Sequence, residues 1–203
     1  MSSPADAHRR IASAFTTIVE GTAPESWDKP APPEGWVARD VVRHLIEWFP
    51  AFLQEAAGIA LPAGPSVDDD PVGVWQIQTE AVQAVLDDAD TANREHDFPH
   101  IGRMPLGRAI DMIYTSDVFL HHWDFARATG QDETLDPNKC AAMLEGMLPM
   151  FCARAATTGL ASTSPMTPTS KPSCWRSSAE PHRRLSRLTA ARALHRGIVP
   201  SAG

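Results

Sequence analysis

Asp117-Val118-Phe119-Leu120-His121-His122-Trp123-Asp124 lies inside a run from Pro105 to Gly130, and its reading decides the fold. Leu106, Ile110, Ile113, Leu120 and Ala128 recur at helical spacing, which predicts one long helix closed by Gly130 as C-cap. Asp117 and His121 fall on the same stripe. They are four residues apart, so both project from one face, one turn from each other. A carboxylate and an imidazole among apolar side chains are costly unless something compensates them. A metal ion would do so. So would a purely structural Asp–His hydrogen bond, and the pair alone leaves both readings open.

Outward from this run, the chain reads as helices. Ser3-Pro4 has the form of an N-cap followed by a first-turn proline, and Ile11, Phe15 and Ile18 give the first helix its apolar face up to Glu20-Gly21. A proline-rich loop carrying Trp27 follows. A second helix is predicted over Ala38–Ala57, with Val41, His44, Leu45, Trp48 and Phe52 as its stripe. His44 sits on that buried face, while Arg43 and Glu47 lie to the side. A single imidazole there is most simply a hydrogen-bonded core residue. The acidic run Asp68-Asp69-Asp70 reads as a solvated loop, and Asp70-Pro71 as the cap of a third helix over Val72–Asp87. Asp88 to Arg103 reads as polar and irregular. Asp136-Pro137 opens a short fifth helix with Cys140, Met143, Leu144, Met147 and Leu148 on its face. No strand-period alternation persists and no repeat is found, so the body over 1–150 is predicted to be an all-α bundle.

The two polar sites gain meaning together. Two long helices each place ionisable groups on a core stripe: His44 on one, Asp117 and His121 on the other. Bundles build metal sites from inward side chains of facing helices. Two imidazoles and a carboxylate leave zinc a fourth position for water or substrate, and the same set suits nickel or iron. His122 points about 100° away from His121 and is set aside. Asp124, seven after Asp117, could orient a ligand or pair with Arg127.

The stretch Gly35-Trp36-Val37-Ala38-Arg39-Asp40-Val41-Val42-Arg43-His44-Leu45 resembles the GW-x-x-RDLVAHL segment of the DinB-like superfamily. It is most similar to the metal-binding domain of mycothiol-dependent maleylpyruvate isomerase and its actinobacterial relatives. The run from Asp117 to Gly130 resembles that group's D/E-x-x-x-H-x-WDLARATG segment. The resemblance implies a four-helix bundle whose divalent metal, zinc first, is held by His44, Asp117 and His121. It also implies mycothiol or another small thiol as co-substrate. The chain departs from the pattern at Pro32-Pro33, where relatives often carry Pro-Cys.

Charge and composition bound the remaining classes. Residues 1–150 hold 10 Lys and Arg against 24 Asp and Glu, a net charge of −14, whereas residues 151–203 hold 8 against the single acid Glu180, a net charge of +7. An acidic body argues against a nucleic-acid partner. Cys140, Cys152 and Cys174 have no CxxC spacing, which fits a reducing cytoplasm. No 18-residue apolar run is present, so no membrane span is expected. Expected partners are a small-molecule substrate or thiol, with a homodimer allowed. Three functions stand side by side: a thiol-dependent isomerase or transferase, a non-catalytic metal-binding or sensing bundle, and a metal-free bundle with a buried hydrogen-bond network.

From about Phe151 the composition turns Ser/Thr/Pro-rich and then Arg-rich, the signature of a disordered basic tail. A second reading is a tail for nucleic acid or acidic partners, and a third, which fits better, is translation out of frame. In the frame that joins each third base to the next two, Met166-Thr167 forces an Asp codon and Cys174-Trp175 forces a Leu codon. Both fall where endings of the resembling family carry those residues. Sequencing the gene across the codons for Leu148–Arg154, beside close relatives, is expected to reveal a one- or two-base insertion or deletion. An uninterrupted frame shared by the relatives would reject this.

Overall fold

A computed structural model describes residues 2–98 and 101–146. The basic tail over 151–203, and Met147 and Leu148 of the expected fifth helix, lie outside the described residues. The first compact unit is Met1–Leu135, and a second begins at Asp136.

The caps at Ser3 and Asp70 form as the sequence predicts. Ser3 accepts the Asp6 N–H and Pro4 opens α1 (Pro4–Glu20). Asp40 reaches back to the Val37 N–H at 2.9 Å and starts α2 (Ala38–Ala57). Asp70 accepts the Gly73 N–H at 2.8 Å and starts α3 (Pro71–Asp87). α1 packs on α3 and on the helix that carries Asp117, and α2 packs on the same two. The four long segments therefore enclose one core, and the fold is an all-α bundle of DinB type.

At the centre, Phe15, Leu45, Phe49, Leu53, Trp75, Tyr114 and Phe125 are fully buried. Each large apolar side chain removed from water contributes about 1.5–3 kcal/mol. Tyr114 stacks on Phe49 with ring centroids 3.9 Å apart. The buried Gln78 amide donates to the Leu45 carbonyl at 2.7 Å and to the Tyr114 hydroxyl at 3.1 Å. One side chain of α3 thus satisfies polar groups of two neighbouring segments. Burial pushes the Tyr114 hydroxyl above the ordinary phenol range, so it stays neutral at any working pH. α3 buries Val74, Trp75, Gln78, Val82 and Leu86.

Two secondary-structure expectations are corrected. The stretch read as irregular holds a short helix, α4 (Ala89–Ala92), and an antiparallel hairpin of β1 (Glu95–Phe98) and β2 (Gly102–Pro105). Four-residue strands are too short for alternation to register, and Phe98 is the one buried residue of β1. The run Pro105–Thr129 is not one uninterrupted α-helix either. α5 (Leu106–Ile110) passes through a π turn (Asp111–Thr115) into α6 (Ser116–Thr129). The Ser116 N–H bonds the Asp111 carbonyl, five residues back, and the Ser116 hydroxyl caps the same oxygen at 3.0 Å.

The extra residue rotates everything downstream by about 100° relative to a straight α-helix. Ile113 and Leu120, expected in the core, are only half-buried, and Tyr114, Val118 and Phe125 take the core positions. In the second unit, residues 137–146 are helical, but Leu144, expected on a buried face, is 47% exposed.

If the π turn absorbs one residue, deleting the exposed Met112 restores a plain α-helix with the same flanking phase. That variant is expected to stay folded, with a melting temperature within roughly 4–8 °C of the parent. Deleting Phe119, inside α6, should abolish cooperative unfolding. Thermal denaturation followed by circular dichroism compares the two.

Candidate metal centre

His44 lies in the second turn of α2, and Asp117 and His121 lie on the first turns of α6, facing it. The rotation at the π turn moves the Asp117/His121 pair from the middle of the apolar stripe to its margin. His121 is 4% exposed, while the side chains of His44 and Asp117 are 15% and 23% exposed. The group is thus buried on one side and open on the other.

The structure brings all three expected residues together. His44 Nε2 is 3.1 Å from Asp117 Oδ2, and His121 Nε2 is 3.5 Å from Asp117 Oδ1. The two imidazole rings meet edge to face with centroids 4.9 Å apart. One donor atom from each residue lies within 4.8 Å of the others. Ligands on a tetrahedral ion with bonds of about 2.0–2.1 Å sit roughly 3.4 Å apart. Modest side-chain rotation would let all three meet on one divalent ion, so the donor set fits. Two nitrogens and one oxygen suit zinc, nickel or iron alike.

The surroundings resolve several alternatives left by the sequence. Asp124 holds His121 rather than Arg127: its Oδ2 is 3.0 Å from His121 Nδ1, whereas Arg127 pairs with Glu133. With Nδ1 bonded to a carboxylate, Nε2 is the nitrogen that faces Asp117 and His44. Burial pulls the His121 pKa down, but the hydrogen bond to Asp124 and the negative charge of Asp117 outweigh it, and the imidazole ends above its ordinary range. His122 turns toward α1, with its ring 6.3 Å from that of Phe15, and burial lowers its pKa. It takes no part in the cluster. Glu47 is 67% exposed beside Arg43. Asp68, read as part of a solvated loop, pairs with Arg43, which Asp40 also binds.

Two tryptophans complete the site, and the sequence reading had assigned neither a role there. Trp36 stacks on His121 at 5.9 Å and lies 5.3 Å from the His44 ring. The turn before it sets this position: Gly35 adopts φ 79°, a left-handed conformation that costs glycine little, and the Ala31 N–H bonds the Trp36 carbonyl. Trp48 donates its indole N–H to Asp117 Oδ2 at 3.2 Å. Its place four residues after His44, on the same helix face, was the available signal.

An all-α bundle with a His–Asp–His cluster between two facing helices defines the class as DinB-like. Within that class the chain belongs to the family described as mycothiol maleylpyruvate isomerase N-terminal domain, which matches residues 8–126. That span holds all three cluster residues. Uncharacterized proteins from two strains of Mycobacterium tuberculosis are each 27% identical over 134 residues, covering 66% of this chain and 71% of theirs. No solved structure matches the chain significantly.

If the cluster holds a divalent ion, Asp124→Asn should weaken its binding by about 10–100-fold, the usual cost of losing a carboxylate behind a ligating histidine. Arg127→Ala should bind like the parent. Competition titration against a chromophoric chelator reads both.

Proposed function

We propose that the chain binds one divalent ion through His44, Asp117 and His121 and acts as a thiol-dependent enzyme of the isomerase or transferase type. The observation that carries this reading is the meeting of two imidazoles and a carboxylate from facing helices at a half-open margin of the bundle. A closed structural site would use a fourth protein ligand, and three ligands leave room for a reactant.

When bound, such an ion supplies Lewis acidity, polarising a substrate oxygen or favouring the deprotonated form of a thiol near neutral pH. The residues of this chain supply the rest. His44 and His121 present nitrogen donors and Asp117 a compensating negative charge. Asp124 holds the His121 ring by its far nitrogen. Trp36 covers the His121 ring and keeps water from one side of it. The family's name supports mycothiol, or a similar low-molecular-weight thiol, as the co-substrate. Zinc is the first candidate ion, and nickel and iron remain compatible with the donor set. No helix among the described residues is long and apolar enough to cross a membrane.

Protein purified without a histidine tag is expected to carry about one equivalent of metal, and His44→Ala to carry essentially none. Metal analysis by mass spectrometry reads this, and absence of metal from the parent rejects the site. With metal present, thiol-dependent turnover of maleylpyruvate, epoxides or other small electrophiles is expected. A loaded protein that stays inactive across that panel would favour a metal-binding or sensing bundle over an enzyme.

A further inference from the structure

We propose that Trp48 is a positioning residue for the metal centre: its indole N–H holds Asp117 Oδ2, so that Asp117 meets the ion through its other oxygen. The inference rests on the metal reading above and assigns a role to a residue outside the ligand set.

The geometry comes from two matched helix faces. On α2, His44 and Trp48 are one turn apart. On α6, Asp117 and His121 are one turn apart. The pairs face each other, and Asp117 Oδ2 receives both α2 groups, His44 Nε2 at 3.1 Å and Trp48 Nε1 at 3.2 Å. Asp117 Oδ1 faces His121 Nε2 at 3.5 Å. The two contacts on Oδ2 differ in kind. An imidazole nitrogen must be unprotonated to ligate a metal, so the His44–Asp117 contact changes when an ion is taken up. An indole nitrogen carries a permanent donor and no lone pair for a metal. The Trp48 bond is therefore compatible with both the empty and the loaded state, and it keeps the carboxylate from swinging when His44 turns to the ion.

Packing alone does not account for this bond. The Trp48 ring contacts Phe49, Phe52 and Tyr114 edge to face, with centroids 5.4–6.1 Å away. Those contacts would be served equally by a phenyl ring. Trp75 gives an internal comparison: its N–H goes to the neutral Thr16 hydroxyl at 2.8 Å, between α1 and α3. Trp48 directs the same kind of donor to the carboxylate of the cluster.

Trp48→Phe keeps an aromatic ring and removes the donor. Competition titration with zinc(II) should show about 10–100-fold weaker binding. The visible bands of the cobalt(II)-loaded protein, which report coordination geometry, should shift in position or intensity. Phe52→Leu, which alters packing against Trp48 but no hydrogen bond, should bind zinc(II) like the parent and give the parent cobalt spectrum. A Trp48→Phe protein with parental affinity and spectrum overturns the assignment while leaving the metal site standing. A parent that takes up no ion removes both. Should Trp48→Phe fail to fold, the Trp48 indole N–H resonance of the parent, assigned by triple-resonance NMR, decides. It should move in Asp117→Asn and stay protected from exchange after zinc(II) is added. A resonance indifferent to Asp117→Asn overturns the proposal.

Discussion

A carboxylate between two helices organises this protein. Asp117 lies at the seam of α2 and α6, where water reaches only part of it and where an unpaired charge would cost several kcal/mol. The bundle answers with partners from both sides: the Trp48 N–H and the His44 imidazole from α2, and the His121 imidazole from its own helix. A half-buried carboxylate ringed by polar partners is a stable arrangement, and it is also an attractive position for a cation. Structural compensation and metal binding are therefore two occupancies of one electrostatic design.

The π turn decides where that design sits. In an uninterrupted α-helix, Asp117 and His121 would share a face with Leu106 and Ile110 and point at the centre of the bundle. The extra residue within Asp111–Thr115 gives the centre to Tyr114, Val118 and Phe125 instead. The Asp117/His121 pair is displaced to a margin that solutes can reach. The hydroxyl of Ser116 stabilises the widened turn by bonding the Asp111 carbonyl alongside the Ser116 N–H. π turns recur at functional sites because they separate the register of a functional residue from that of the core. Here the effect is to place a polar cluster on a long helix without opening a polar hole in the core. The tight stack of Tyr114 on Phe49 and the Gln78 bridge fill the space that the cluster leaves.

Much of the site was legible because its geometry is local. Asp117 and His121 are four apart, so any helix through them puts both on one face. His44 stood out as an imidazole on an apolar stripe. Asp124 was visible as a candidate partner, but its choice of His121 over Arg127 needed side-chain positions. The roles of Trp36 and Trp48 were not legible, because a tryptophan on a helix stripe or in a Gly-Trp turn reads as packing. Only the direction of the indole N–H distinguishes a donor from a wedge. The hairpin at Glu95–Pro105 escaped notice because four-residue strands carry too few positions for a period of two.

By itself the sequence determined the outer limits of the long helical segments, through proline, aspartate, serine and glycine at their ends, though not the break inside the last one. It also determined that three metal-capable side chains lie on two helix faces. These are consequences of chain-local torsions and capping hydrogen bonds, which neighbours in the sequence settle. The tertiary structure decided the rest: that α2 and α6 pack face to face, that the π turn shifts the core register by one residue, and that His44 Nε2 lands 3.1 Å from Asp117. Those depend on which packing buries the most apolar surface while leaving no buried charge unpaired. That balance is struck between segments some 70 residues apart in the chain, and no local pattern encodes it.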